Sequence, residues 1–261
     1  MWVLYPNFAG IFQRENGGGA ALTTWMARAQ RDLGFVPDPT QARVLQCQSR
    51  RVLLNCTRQW GKSTVTAAKA VHQALHYEGS LTLVVSPSAR QSGEFLRKAE
   101  EFVRRLKIKP RGDGDNDISL MLPNRSRIVG LPGREATVRG FSAVTLLLVD
   151  EASRVSDEMY YSLRPMLATS DGTLWLMSTP HGKSGFFWDT WAAASQGDTD
   201  WELVRVPAVD CPRISKRFLD EERRTMGDLW YRQEYGCEFV AFEYQKAEAR
   251  LYDRRGFGAD Q

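Results

Sequence analysis

The chain has 261 residues, 43% of them hydrophobic and 25% charged, a composition that excludes disorder, collagen-like repeats and a disulfide mini-scaffold. Its length suits one large α/β domain, or such a domain with a small appendage, and no apolar run approaches the roughly 20 residues of a membrane-spanning helix. The net charge of +4 is unevenly placed: Arg90 to Arg139 holds twelve Lys and Arg against seven acids, a basic stretch expected to attract a polyanion or an acidic partner face.

Residues 1–34 read as an N-terminal extension, with a flexible joint at Gly17-Gly18-Gly19 and a short helix around Leu22–Leu33. Met1–Ile11 lacks a basic n-region, so no signal peptide is expected. Cys47, Cys56, Cys211 and Cys237 follow no metal-ligand spacing and are expected as reduced thiols of a cytosolic protein. Arg51–Asn55 (RVLLN) predicts a strand, followed by a loop and a helix from Lys62 to about His76. Leu81–Ser86 predicts a second strand. Arg90–Leu106 places Phe95, Leu96, Ala99, Phe102, Val103 and Leu106 on one helical face. Ile118–Leu122 and Arg127–Leu131 flank Pro123-Asn124 as a hairpin. Thr145–Val149, Leu174–Ser178 and Trp201–Val206 complete the strands, and Ser215–Met226 and Asp228–Glu238 predict two charged helices.

Strands apolar on both faces, alternating with amphipathic helices, predict a mostly parallel sheet covered on two sides. The expected organisation is a core over 35–206, a small lid over 207–240 and a tail over 241–261.

Two motifs carry the chemistry. Cys56-Thr57-Arg58-Gln59-Trp60-Gly61-Lys62-Ser63-Thr64 lies between a strand and a helix, where a phosphate-binding loop belongs. Gly61 lets the backbone approach phosphates, the helix N-terminus cradles them, Lys62 reaches the β/γ-phosphates and the Ser63 hydroxyl suits Mg²⁺. Cys56 stands where the first glycine of GxxxxGK[ST] is expected. Leu146–Glu151 (LLLVDE) then delivers two carboxylates to the end of a buried strand. Asp150 is placed to hold Mg²⁺ through water, and Glu151 to polarise an attacking water. Together these predict Mg²⁺-dependent nucleotide hydrolysis. The second carboxylate resembles the additional-strand ATPase branch of P-loop NTPases, in which Ser178-Thr179, at the tip of the next strand, would sense the γ-phosphate.

The sequence further resembles the large terminase subunits of tailed bacteriophages, motors that pump DNA into procapsids. The residues that carry the likeness are Arg58–Ser63 with arginine first, Arg139-Gly140 ahead of LLLVDEA, and Ser178-Thr179-Pro180 with Gly182. Phe186, Phe187 and Trp191 match the family's aromatic helix, and Tyr231–Tyr235 with Cys237–Phe239 its lid segment. The resemblance implies that Gln41 reads the adenine edge, that Arg58 contacts the γ-phosphate and that Gln59, Trp60 and Thr64 help bind the nucleotide. It also makes Arg139 an arginine finger for a neighbouring subunit, and Ser178 and Thr179 the coupling motif. The implied partners are double-stranded DNA, further copies in a ring on the procapsid portal, the portal protein and the small terminase subunit, in the host cytoplasm and away from membranes. Such chains usually continue into a nuclease domain, which is expected to be absent here. A helicase-like ATPase and a non-catalytic nucleotide-binding scaffold are the alternatives.

Overall fold

Seven strands form one sheet in the computed structural model, which describes residues 33–111, 119–132, 140–197 and 200–241. In chain order the elements are α1 (Pro39–Gln46), β1 (Arg51–Cys56), α2 (Lys62–His76), β2 (Leu81–Ser86), α3 (Ala89–Arg105), β3 (Ser119–Met121), β4 (Arg127–Pro132), β5 (Leu146–Asp150), α4 (Asp157–Leu163), β6 (Thr173–Ser178), α5 (Gly185–Ser195), β7 (Glu202–Val206), α6 (Lys216–Met226) and α7 (Asp228–Glu234). Tight 3-10 turns follow β5 at Ala152–Arg154, α4 at Arg164–Leu167 and β7 at Ala208–Asp210. The expectations for the N-terminal extension before residue 33, for the tail from residue 242 onward and for Arg139 lie outside the described residues. Among the described residues no helix is long and apolar enough to cross a membrane.

The strand order is β3-β4-β2-β5-β6-β1-β7, parallel throughout except for the β3–β4 hairpin. The expected mostly parallel sheet flanked by helices is therefore what forms. The apolar strands show why. Along β5, Leu146 and Leu148 belong to one buried cluster while Leu147 and Val149 belong to the other, because successive side chains leave opposite faces. The first face is covered by α2 and α3 through Val65, Ala68, Val71, Phe95, Leu96 and Phe102. The second is covered by α4 and α5 through Met159, Tyr160, Leu163, Phe186 and Phe187, with Tyr160 stacked on Phe186 at 4.0 Å. All four cysteines are free and buried, as expected of reduced thiols.

Serines set several helix starts by accepting a backbone N–H of the first turn: Ser88 for α3, Ser156 for α4 and Ser215 for α6. Helix α4, for which no element is predicted, begins on such a cap. Helix α7 ends at Glu234 rather than at the predicted Glu238. Beyond the Tyr235 cap the Gly236 N–H bonds back to the Tyr231 carbonyl at 3.1 Å and the Glu238 N–H to the Arg232 carbonyl at 3.0 Å, while Cys237 takes a left-handed φ of 54°.

The basic stretch is partly neutralised on its own helix. Arg97 pairs with Glu94, Arg104 with Glu100 and Arg105 with Glu101, all one turn apart on α3.

One topological fact positions the site. Strand β6 lies between β5 and β1, with Asp150 opposite Met177 and Ser178 opposite Asn55. The C-terminal ends of β1, β6 and β5 thus arrive side by side at one edge, where parallel α/β sheets place their ligands.

Candidate active site

Strand β1 delivers the phosphate-loop sequence. Cys56 ends the strand fully buried, outside the left-handed region, so nothing at that position requires glycine. Burial pushes its thiol well above the ordinary pKa. The loop then turns through two left-handed residues, Gln59 at φ 64° and Gly61 at φ 97°. Trp60, fully buried, pins the loop to the core.

Gly61 is the residue the geometry demands, since a Cβ there would combine an unfavourable φ with a contact of 3.1 Å to Gln41 Nε2. It is also the N-cap of α2, where no side chain supplies a capping hydrogen bond. The start of a fifteen-residue helix is thus left as an anion-binding end.

Gln41 occupies an unexpected post. Its Nε2 donates to the Trp60 carbonyl at 2.7 Å, and its Oε1 accepts from the Asp38 N–H at 3.0 Å, closing a capping box at the start of α1. The residue is 2% exposed. In this conformation the amide braces the loop. Arg213, which no sequence pattern singles out, completes the brace: it donates to the Trp60 carbonyl at 2.6 Å and to Asp38 Oδ2 at 2.9 Å.

Lys62 points into the loop it follows. Its ammonium donates to the Cys56 carbonyl at 3.2 Å and to Thr179 Oγ1 at 3.1 Å, and stands 3.9 Å from Glu151 Oε1. Ser63 Oγ lies 3.4 Å from Asp150 Oδ2. A hydroxyl and a carboxylate at this spacing suit Mg²⁺, a hard cation that takes one or two protein oxygens and leaves its other positions to water and phosphate. Burial first, and the neighbouring Glu151 charge second, push the Asp150 carboxyl up to about 6. A cation there would relieve both effects.

Glu151 takes a left-handed φ of 50° at the turn after β5, which aims its carboxylate between Lys62 and Ser178, whose Oγ donates to Oε2 at 3.2 Å. Ser153, also absent from the sequence expectations, has its Oγ 2.7 Å from Ser178 Oγ and 2.8 Å from the Thr179 carbonyl. The structure therefore brings Lys62, Ser63, Asp150, Glu151, Ser178 and Thr179 together from three strand ends.

The remaining expected residues stand around this centre. Arg58 is 64% exposed on its side chain and pairs at 2.9 Å with Glu234 of α7. The Glu234 carbonyl accepts from Thr57 Oγ1, and the adjacent Gln233 accepts the Gly182 N–H through Oε1 at 3.1 Å. Gln59 is exposed, and Thr64 lies in the first turn of α2. A cleft of about 650 Å³ opens between Arg58-Gln59 and the 213–218 segment with Tyr235, of a size to admit a nucleotide.

Comparison with known proteins shows the family and the fold. Residues 53–257 match the family described as terminase large subunit, T4likevirus-type, N-terminal. The chain is 26% identical over 241 residues to the terminase large subunit of Thermus virus P23-45, covering 80% of this chain and 50% of that protein. It thus spans about half the length of the curated relatives it matches. Its fold is similar to the large terminase ATPase domain of Thermus phage P74-26, with a TM-score of 0.71 and 22% identity over 80% of this chain and 96% of that one. It is also similar in fold to the large terminase of a thermophilic bacteriophage in complex with ADP, with a TM-score of 0.62 and 11% identity over 85% and 53% of the two chains.

Proposed function

This chain belongs to the terminase large subunit family, T4likevirus-type, N-terminal, and from that premise we propose that it hydrolyses ATP to drive double-stranded DNA into a procapsid. One observation carries the reading: Lys62, the Ser63–Asp150 pair and Glu151 converge at the ends of β1 and β5, with β6 between them. The large terminases whose folds this chain shares include an ATPase domain and a complex with ADP, and both support it.

In this reading the N–H groups at the start of α2 hold the phosphates, and Lys62 leaves its loop carbonyl for the β/γ-phosphate oxygens. Ser63 and Asp150 would hold Mg²⁺, which would supply positive charge against the negative charge that develops on the phosphate. Glu151 accepts the proton of the attacking water. Arg58 exchanges Glu234 for the γ-phosphate, and Thr179 and Ser178 sense its departure. Gln41 acts through the loop it braces, with its spare N–H and lone pair turned to adenine, while Gln59, Trp60 and Thr64 shape the cradle. Arg139 acts as a finger on a neighbouring copy's nucleotide, a contribution of about 10³–10⁵ in rate.

Residues 35–206 then form the motor core and 207–240 its lid, working in the host cytoplasm. The partners are DNA, the other subunits of a ring on the portal, the portal protein and the small terminase subunit. The basic stretch is a neighbour-facing or DNA-facing surface; as a DNA-facing one it grips phosphates without sequence preference, so DNA affinity falls steeply with salt.

The test is steady-state ATP turnover per subunit across a wide concentration range, with Glu151→Gln as blank. Turnover that rises with concentration supports a site completed by a neighbour. Turnover no greater than the blank at every concentration, with DNA present, overturns the hydrolase reading.

A further inference from the structure

We propose that Ser153 is a positioning residue for hydrolysis: through the Ser178 hydroxyl it holds the Glu151 carboxylate where the attacking water must stand. The inference rests on the reading of Glu151 as the base and adds a residue that reading does not use.

The argument is a count of protons. Ser153 sits in the 3-10 turn directly after Glu151, and its Oγ is 2.7 Å from Ser178 Oγ, a full-strength hydroxyl contact. Ser178 Oγ is in turn 3.2 Å from Glu151 Oε2, and 2.8 Å from the Thr179 carbonyl. Each hydroxyl owns one proton. The hydroxyl–hydroxyl and the hydroxyl–carboxylate contacts are both made in one arrangement only: Ser153 donates to Ser178, and Ser178 donates to Glu151. The two O–H dipoles then point the same way and end on the carboxylate, where each strengthens the other.

When Ser153 donates to the Thr179 carbonyl instead, the Ser178 proton can turn to Ser153 or to the Thr179 carbonyl, and in either case Glu151 loses its donor. Ser178 is fully buried, so water cannot readily replace Ser153 as the group that turns its proton. Among the described residues the Glu151 carboxylate also stands 3.9 Å from the Lys62 ammonium, toward which a released carboxylate moves. Ser153 Oγ also lies within hydrogen-bond distance of both residues at the tip of β6, 2.7 Å from Ser178 Oγ and 2.8 Å from the Thr179 carbonyl. The residue that fixes the base is thus tied directly to the strand end beside the phosphate site.

The experiment compares Ser153→Ala, Ser153→Thr and Glu151→Gln in the full chain. Three measurements are made: single-turnover ATP hydrolysis, the dissociation constant of a fluorescent ATP analogue, and nucleotide-free crystal structures. The expected result for Ser153→Ala is a hydrolysis rate lower by about 10- to 100-fold, the scale on which a displacement near 1 Å acts. The analogue's affinity should stay within about twofold, because Ser153 touches none of the phosphate cradle. The nucleotide-free structure should show Glu151 Oε2 withdrawn from Ser178 Oγ. Ser153→Thr, which keeps the hydroxyl, should recover most of the rate.

A Ser153→Ala rate close to the parent's overturns the proposal, as does an equal fall in rate and affinity, or an unmoved carboxylate. Glu151→Gln separates the two failures. If it hydrolyses ATP like the parent, the assignment of the base falls. If it is inactive while Ser153→Ala is not, only the role of Ser153 falls.

Discussion

Replacing Gln41 by alanine distinguishes a brace from a base reader. The substitution removes the 2.7 Å bond to the Trp60 carbonyl and the 3.0 Å bond from the Asp38 N–H. Each is worth about 1 kcal/mol net, and the lost buried methylene adds about 0.8 kcal/mol. The Trp60 carbonyl keeps Arg213 at 2.6 Å, so it is not orphaned and no larger penalty applies. The expected loss is about 2–3 kcal/mol in nucleotide-free protein, a fall of about 5–10 °C in Tm for a chain of this size. Urea unfolding of the parent, Gln41→Ala, Arg213→Met and the double variant measures it. The double variant should be worse than additive by about 1 kcal/mol, because only there does the carbonyl lose both donors. Were Gln41→Ala within about 0.5 kcal/mol of the parent while discrimination between ATP and GTP disappeared, the amide would be reading the base and the bracing argument would fall.

Three further outcomes are expected. Burial first, and the His76 charge beside it second, hold His72 down at about 2 against an ordinary 6.5. Its pKa is lower folded than unfolded, so its contribution is complete above 6.5 and is lost as pH falls below that, by up to about 1.4 kcal/mol per pH unit. Urea midpoints of His72→Gln should therefore converge on or overtake the parent's in acid, and parallel curves would refute this. Gly172→Ala would place a Cβ 2.2 Å from the Val144 carbonyl and 2.7 Å from Leu167 Cδ2. Backbone cannot yield as a side chain does, so a loss of about 2–3 kcal/mol is expected by chemical denaturation. Arg58→Ala removes an ion pair whose arginine is mostly exposed, and should cost less than about 1 kcal/mol of stability. The same variant should slow ATP turnover by about tenfold or more, and turnover equal to the parent's would exclude Arg58 from the phosphate site.

What the sequence discloses is what local chemistry decides. The strands are legible because burial on both faces leaves no polar residue to blur them, as in Leu146–Val149. The loop and the Asp150-Glu151 pair are legible because their spacing is forced by strand-loop-helix and strand-end geometry. Arg213 is not legible, since its partner Asp38 lies 175 residues away and nothing in Cys-Pro-Arg announces the contact. Ser153 is equally silent, a serine whose meaning appears only when β5 and β6 lie adjacent. Gln41 is legible as a residue of interest, but its post behind the loop depends on where Trp60 packs. The end of α7 is misjudged because the predicted helix runs on through Gly236, a usual helix-stop residue that stands two positions beyond Glu234.

The contacts of Gln233 and Glu234 have a mechanical consequence. Consecutive residues on a helix diverge by about 100°, and seven residues make a rod only about 10 Å long, too short to bend. One end of this rod leans on the loop that would meet the γ-phosphate, through Arg58 and Thr57. It leans on the loop beyond β6 through the Gly182 N–H. The two loops therefore share a single bearing. Glu234 and Gln233 thus tie the loop after β1 and the loop after β6 to one helix end, from outside the sheet.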